Sequence, residues 1–218
     1  MNAKQVIAAI AKLKPEKRRK VFDHLRAEFA HALETKWGLP YETVLEAIGR
    51  ASDLTQRGVR GVIAEAVFIL QVLPEALEGS GWAVVDAAIA ADIPFDVVVE
   101  KGKTRVRVQV KNQRTERGEP KMKQAAWVAE VQKTRSGKKS GKPTRPYRFE
   151  DFDLIAVCLW PATRSWKRFA YCLTRDLVPR KHDKSMIEIM QRIPKDLRGG
   201  GWADDLVGRL EAFRTLHK

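Results

Sequence analysis

The chain has 218 residues, of which 44% are hydrophobic and 31% are charged, so it is long enough for one domain with a buried core and a helical extension, or for two small domains. No stretch approaches about 18 uninterrupted apolar residues, which predicts that no helix crosses a membrane. Two cysteines, Cys158 and Cys172, are too few for a disulfide framework, and we expect buried thiols in a reducing cytoplasm.

Basic residues are concentrated in one part of the chain. The formal net charge is +14, from 41 Lys and Arg against 27 Asp and Glu. Between Lys101 and Arg148 there are 16 basic and three acidic residues, which gives this segment a net charge of +13. Such a concentration is better explained by a surface that meets a polyanion than by an ordinary solvated face, and nucleic acid is the leading candidate. The segment lacks the apolar anchors of a helix that binds membranes.

The first 50 or so residues are predicted to be helical. Apolar residues recur at helical spacing after Pro15, which suits the first turn of a helix, and Gly38 ends the pattern. A second short helix is predicted from about Pro40 to Ile48, and a long apolar helix from about Gly58 to Leu77. The N-terminus is interpreted as a helix and not as a signal peptide, because no cleavage site follows its short apolar run.

The apolar pattern then changes from helical to alternating. Three consecutive strands are predicted in WAVVDAA, PFDVVVE and TRVRVQVKN, and a tight turn at Lys101-Gly102-Lys103 makes the last two antiparallel. QAAWVAEVQKT favours a strand, with a helix as the alternative, and DFDLIAVCLW and WKRFAYCL form another hairpin. Two short helices are predicted at about Ser185 to Gln191 and Trp202 to Leu216. The expected fold class is α/β, with a central mixed β-sheet flanked by helices and an N-terminal helical extension.

Polar residues meet at one end of the first predicted hairpin. Asp96 opens one strand, while Gln109 and Lys111 share one face of the returning strand, opposite Val108 and Val110. The antiparallel turn allows Asp96 to approach Gln109 and Lys111. A carboxylate together with amide or backbone oxygens can bind a hard divalent cation, and an ammonium can hold a water and offset phosphate charge. These groups suit metal-assisted hydrolysis of phosphodiesters.

This arrangement resembles the PD-(D/E)XK, or restriction-endonuclease-like, superfamily. The motif of that family is an acid that opens one strand, followed by acid-x-Lys at the end of the next. The preceding helix of the family often carries a glutamate, and RGVIAEAVFILQVL supplies Glu65. The resemblance covers roughly residues 58 to 173. It implies that Glu65, Asp96 and Gln109 bind metal and that Lys111 is the catalytic lysine.

The sequence departs from the family motif at two positions. The "PD" pair is FD here, with Pro94 one residue further upstream, and the second acid is replaced by Gln109. QxK variants are familiar in the superfamily, but a neutral amide binds metal more weakly than a carboxylate. The negative charge of the site therefore comes from Glu65 and Asp96.

The resemblance implies a Mg²⁺-dependent DNA endonuclease, with Mn²⁺ as a substitute metal. The specific expectation is a type II restriction endonuclease that cuts double-stranded DNA at a defined sequence. Cleavage of both strands by a chain with one site suggests a homodimer. The alternatives are a Holliday junction resolvase, a homing or repair nuclease, and a catalytically silent DNA-binding protein. No Walker loop or GxGxxG occurs, so no nucleotide cofactor is expected.

Eight residues of the basic segment are predicted to contact nucleic acid, because Lys and Arg supply the salt-sensitive part of binding. Three of them, Gln113, Arg114 and Arg135, are also candidates for reading bases. The full set is Gln113, Arg114, Arg117, Lys121, Lys123, Arg135, Lys138 and Lys139. The expected domains are residues 1–56 for dimerisation or DNA contact, residues 57–180 as the nuclease core, and residues 181–218 as a C-terminal helical segment.

Overall fold

The computed structural model describes residues 2–28, 31–86, 93–133, 138–139, 142–143 and 146–217. The chain divides into two compact units, Met1–Gln56 and Arg57–Lys218. Among the described residues, no helix has the length and apolar character that a membrane span requires. The last two residues of the predicted strand WAVVDAA, at positions 87 and 88, lie outside the described residues.

The first unit contains the predicted N-terminal helices, but the helix predicted from Pro15 to Gly38 is interrupted, because His31 is extended and caps the start of a separate helix. The helices of this unit are α1 (Ala3–Ala11), α2 (Pro15–Glu28), α3 (Ala32–Trp37) and α4 (Tyr41–Arg50). Pro15 is the first residue of α2, and Gly38 ends α3 in the left-handed conformation with φ +64°, so both boundary predictions are confirmed. None of the described side chains of α1, α3 and α4 is buried.

The long apolar helix begins earlier than the predicted Gly58. It consists of α5 (Asp53–Val67), a π-helical turn (Phe68–Val72) and α6 (Leu73–Leu77). The wider π turn ends two residues before Pro74, which has no backbone N–H and cannot complete an ordinary α-helical hydrogen bond. Such π turns are frequent near functional sites, and this one follows Glu65 by less than one turn of helix.

The second unit is built on a six-stranded mixed sheet, which confirms the predicted fold class. The strands of this unit are β1 (Ala83–Asp86), β2 (Val97–Lys101), β3 (Thr104–Asn112), β4 (Thr115–Glu116), β5 (Glu119–Pro120), β6 (Met122–Lys123), β7 (Ala126–Glu130), β8 (Lys138–Lys139), β9 (Lys142–Pro143), β10 (Leu154–Cys158), β11 (Phe169–Leu173), β12 (Met190–Ile193) and β13 (Trp202–Ala203). The six-stranded sheet has the order β1-β2-β3-β10-β11-β13, with β3 and β10 parallel and the other neighbours antiparallel. A second sheet has the order β12-β7-β6, and β4–β5 and β8–β9 are short hairpins.

Each face of the six-stranded sheet has its own apolar core. Val106, Val108 and Val110 of β3 pack on one face with Phe68 of the π turn and with α8 (Leu206–Leu216). The opposite face carries Ile155 and Val157 of β10, whose cluster also contains side chains of the second sheet. The valines and the polar residues that alternate in TRVRVQVKN therefore lie on opposite faces of the sheet, as predicted. The short helix α7 (Trp160–Thr163) joins β10 to β11.

Of the two helices predicted near the C-terminus, one is wrong and the other is confirmed with a later start. No helix covers Ser185 to Gln191, because Ile187 and Glu188 run extended: their N–H groups donate to the carbonyls of Tyr147 and Val178 at 2.9 and 2.8 Å. The predicted helix at Trp202 instead begins at Leu206, after Trp202 has paired with β11. In both places, pairing with distant strands overrides local helix propensity.

Candidate active site

The β2–β3 hairpin fixes the position of Asp96. The two strands pair Val97 with Val108 at one end and Lys101 with Thr104 at the other, across a two-residue turn. Asp96 directly precedes β2, and its backbone N–H donates to the carbonyl of Val108 at 2.9 Å. The Asp96 side chain therefore lies beside the residues that follow Val108 on β3.

The Asp96 carboxylate is held by two hydrogen bonds to the same oxygen. Oδ2 accepts from the backbone N–H of Val110 at 2.6 Å and from Nε2 of Gln109. Gln109 is only 3% exposed, and its Nε2 also donates to the carbonyl of Val110 at 3.1 Å. Its Oε1 accepts from the hydroxyl of Tyr147 at 2.9 Å. The Gln109 amide thus presents its nitrogen, and not its oxygen, to Asp96.

Lys111 lies on the same face of β3, half-buried beside these groups. Its Nζ is 5.3 Å from the ring centroid of Tyr147. Burial lowers the pKa of the Lys111 ammonium, while the carboxylates of Asp96, Glu65 and Glu130 act in the opposite direction. The lysine is therefore a desolvated cation surrounded by acidic groups.

Glu65 on α5 belongs to the same electrostatic cluster. Burial is the main cause that raises the pKa of its half-buried carboxyl, and repulsion from Asp96 raises it further, while Lys111 lowers it. The pKa of Asp96 is also raised by burial, against the opposing effects of Lys111 and the Val110 N–H. The structure thus brings together residues from α5, the start of β2 and the end of β3.

The donor set of this cluster fits a hard divalent cation. Glu65 and Asp96 offer carboxylate oxygens, and a bound cation would offset the repulsion and desolvation that raise their pKa values. The described part of the chain contains no group of three or more His, Cys, Asp or Glu side chains that could hold a metal. Mg²⁺ is commonly bound by one or two carboxylates, with water and substrate phosphates as the other ligands. Gln109 Oε1 already accepts one hydrogen bond, which leaves it one lone pair.

Gln113 is not placed where a nucleic acid could reach it. Its side chain is 2% exposed, and its Oε1 accepts from the backbone N–H of Ala162 at 3.1 Å. Its backbone forms a bridge with Ala129 and donates to the carbonyl of Cys158 at 2.9 Å. Residue 113 therefore links the two sheets, and the prediction that its side chain contacts bases is corrected.

The other predicted nucleic-acid contacts fall into three groups. Arg114 forms an ion pair with Glu130, and Lys121 lies 3.4 Å from Glu116. Arg117 and Lys123 are exposed and make no ion pair with the described residues. Lys138 and Lys139 belong to β8, where side chains are outside the described part, and Arg135 lies outside the described residues altogether.

Three residues near Lys111 were not identified from the sequence. Tyr147 contacts Gln109 and Lys111, Glu130 attracts the Lys111 ammonium, and Lys133 Nζ is 5.5 Å from the Tyr147 ring centroid. Nothing in the local pattern around Tyr147 indicates a site residue, because its contacts depend on how the chain returns to β3. Glu130 could have been noticed as one of three acids in the basic segment.

Fold and site together define an α/β protein with two paired carboxylates and a desolvated lysine at one end of a mixed sheet. No protein-family model matches the chain, and no curated protein matches it. Among solved structures, the bacterial homing endonuclease I-Ssp6803I is similar with a TM-score of 0.37 and 22% sequence identity. That similarity covers 54% of this chain and 68% of the other.

Proposed function

We propose that this chain is a Mg²⁺-dependent DNA endonuclease, with Mn²⁺ as an alternative metal. The observation that carries this proposal is the cluster of Glu65, Asp96 and Lys111, which interact electrostatically in a partly buried place. Two carboxylates that repel each other next to a desolvated ammonium destabilise the folded state, and such groups are concentrated at functional sites. The resemblance of the hairpin to the PD-(D/E)XK motif assigns the same residues to phosphodiester hydrolysis.

Each residue of the cluster has a role that follows from its surroundings. When bound, Mg²⁺ would polarise a phosphoryl oxygen and lower the pKa of a water. Glu65 and Asp96 would hold the ion, with Asp96 oriented by the Val110 N–H and by the Gln109 amide. Lys111 would donate hydrogen bonds to the attacking water or to a phosphate oxygen, and its charge would stabilise the negative charge that develops at phosphorus.

The basic segment supports DNA as the substrate. Residues 133–145 contain six Lys or Arg and no acidic residue. The chain on either side of this stretch is brought together, because Gln132 and Pro146 form a β-bridge. Lys133, the first of these cations, has its Nζ 5.5 Å from the ring centroid of Tyr147, and Lys111 Nζ lies 5.3 Å from the same centroid. A phosphate that is bound by Lys133 would therefore be held close to the proposed catalytic groups.

The finer proposal is a homodimeric type II restriction endonuclease that cuts duplex DNA at a specific sequence. The test is a cleavage panel with unmethylated phage DNA and four-way junctions, in Mg²⁺ or Mn²⁺ and with EDTA as the control. Discrete fragments of duplex DNA support the restriction activity, and rare cutting at one long sequence supports a homing nuclease. Selective cutting of junctions supports a resolvase.

The variants Asp96→Asn and Lys111→Met should abolish cleavage, and Glu100→Gln serves as the matched control. Glu100 is on the same hairpin, where its carboxylate lies 3.6 Å from Arg105. DNA binding should survive in all three variants, because none of them removes the exposed cations. If the wild-type protein binds DNA but cuts no substrate with either metal, the endonuclease proposal is wrong and the chain is a binding protein.

A further inference from the structure

The geometry points to Tyr147 as a positioning residue of the active site: its hydroxyl fixes the Gln109 amide so that Nε2 donates to Asp96, and its ring supports Lys111. This inference rests on the proposed function. It also reassigns Gln109, which becomes a hydrogen-bond donor that orients a metal-binding carboxylate and is no longer a metal ligand itself.

The orientation of the Gln109 amide follows from its partners. Oε1 accepts from the Tyr147 hydroxyl at 2.9 Å, while Nε2 donates to Asp96 Oδ2 and to the Val110 carbonyl at 3.1 Å. The opposite amide orientation would direct Oε1 at a carboxylate and a carbonyl, which are both acceptors. Since burial raises the pKa of Tyr147, its hydroxyl keeps its proton and acts as a donor.

Tyr147 itself is anchored by the core and not by the site. It is 4% exposed, and its ring meets that of Phe152 edge-on at a centroid distance of 5.2 Å. Its carbonyl accepts from the backbone N–H of Ile187 at 2.9 Å. A rigid aromatic side chain therefore connects the apolar core to Gln109, and through Gln109 to Asp96.

The ring of Tyr147 also interacts with two ammonium groups. Lys111 Nζ lies 5.3 Å and Lys133 Nζ 5.5 Å from the ring centroid, both within the range of cation–π attraction. Lys111 is the cation proposed to act on the phosphate, so the ring limits where that ammonium can go. One side chain thus positions both the Asp96 carboxylate and the Lys111 ammonium.

The test compares Tyr147→Phe with Tyr171→Phe. Tyr171 is a matched control because it is also 4% exposed, belongs to the core on the other face of the sheet, and its hydroxyl makes no hydrogen bond to the described residues. Both substitutions remove one hydroxyl from a buried tyrosine residue and keep the ring. The first readout is the side-chain amide signal of Gln109 in a ¹H–¹⁵N spectrum, identified by its loss in Gln109→Ala.

In Tyr147→Phe we expect the resonances of the Gln109 amide protons to shift. These protons should also exchange with solvent at least about tenfold faster, because the amide loses the hydroxyl that orders it. Half-saturating Mn²⁺, measured by electron paramagnetic resonance, and half-saturating Mg²⁺ in cleavage should both rise about tenfold. DNA affinity measured in Ca²⁺ should not change. Tyr171→Phe should leave all of these values as in the wild type.

An unchanged Gln109 amide signal in Tyr147→Phe would overturn the inference. So would a changed amide signal without any change in Mn²⁺ affinity, provided the wild type binds Mn²⁺. If the wild type neither binds Mn²⁺ nor cleaves DNA, the proposed function fails on its own. The amide signal then still decides whether Tyr147 orients Gln109, so the two failures are distinguishable.

Discussion

Replacement of Gln109 by glutamate tests whether this residue acts as a hydrogen-bond donor to Asp96 and not as a metal ligand. If the substitution only restored the acid-x-Lys motif, it should have little effect on the free energy of unfolding. The geometry predicts the opposite, because the nitrogen that donates to Asp96 Oδ2 and to the Val110 carbonyl would become a carboxylate oxygen. Two unit charges about 4 Å apart repel by about 4 kcal/mol at an effective dielectric constant of about 20.

Protonation sets an upper limit to this loss. Keeping a glutamate with an ordinary pKa of about 4.3 protonated costs a free energy of about 5 kcal/mol at pH 8 and about 1 kcal/mol at pH 5. We therefore expect Gln109→Glu to lower the free energy of unfolding by about 4 kcal/mol at pH 8, and by about 1 kcal/mol at pH 5. The loss grows with pH because the introduced carboxyl would have a higher pKa in the folded protein than in the unfolded protein. Above the unfolded-state pKa, the unfolded chain gains stability from ionisation that the folded chain does not gain.

The assay is urea unfolding in EDTA, followed by tryptophan fluorescence, at both pH values. The same substitution in an Asp96→Asn background should cost less by more than about 2 kcal/mol, because the repelling charge is gone. A loss below about 1 kcal/mol at pH 8, or an equal loss in both backgrounds, would refute the proposed orientation of the Gln109 amide.

Three further predictions concern the second unit. Asp153→Ala should lower the free energy of unfolding in urea by about 2 kcal/mol, since Asp153 accepts three hydrogen bonds of 2.8 to 3.0 Å from Arg107. Glu100→Ala, which removes a partly exposed ion pair with Arg105, should lower it by less than about 1 kcal/mol. Lys101, Trp82 and Arg214 donate to Glu211 and lower its pKa to about 2. Glu211→Gln should therefore lower the Tm at pH 7, and the difference from wild type should vanish as the pH falls from 4.5 to 2. Burial raises the pKa of the Cys158 and Cys172 thiols to about 11 and 12, so a thiol reagent at pH 8 should label neither in the native protein and both in urea.

The part of the site that was predicted from the sequence depends on local pairing. The β2–β3 hairpin closes over a two-residue turn, so the period of two in its valines determines which side chains share a face. Asp96, Gln109 and Lys111 meet for that reason alone. Glu65 was found through the family resemblance, because no periodicity relates a helix residue to a strand that follows it.

The parts that were missed depend on contacts between distant residues. Tyr147 is 38 residues from Gln109, and it reaches β3 only because β10 pairs parallel with β3 after the basic segment. Gln113 looked like a polar loop residue, but the bridge to Ala129 draws it between two sheets. The helix expected from Ser185 was wrong for the same reason, since residues there add to strands formed elsewhere.

Fewer Lys and Arg side chains are available to contact DNA than the composition of the basic segment indicated. Arg107 and Arg114 are held by internal carboxylates, and Lys111 lies among three acidic groups. Of the described residues predicted to contact DNA, Arg117 and Lys123 remain exposed and make no ion pair within the described part of the chain. A high net charge therefore indicates a polyanion as the class of partner, but the ion pairs that form on folding decide which cations are available to bind it.

Metal-dependent cleavage at this site can be measured as the conversion of supercoiled plasmid to nicked and linear DNA by the wild-type protein in Mg²⁺, beside Asp96→Asn, Glu65→Gln and the control Glu100→Gln. We expect cleavage by the wild type and Glu100→Gln, complete inhibition by EDTA, and a loss of at least about a hundredfold in rate for the two site variants. Equal rates for Asp96→Asn and the wild type, or cleavage that persists in EDTA, would contradict the proposed metal-dependent cleavage at this site.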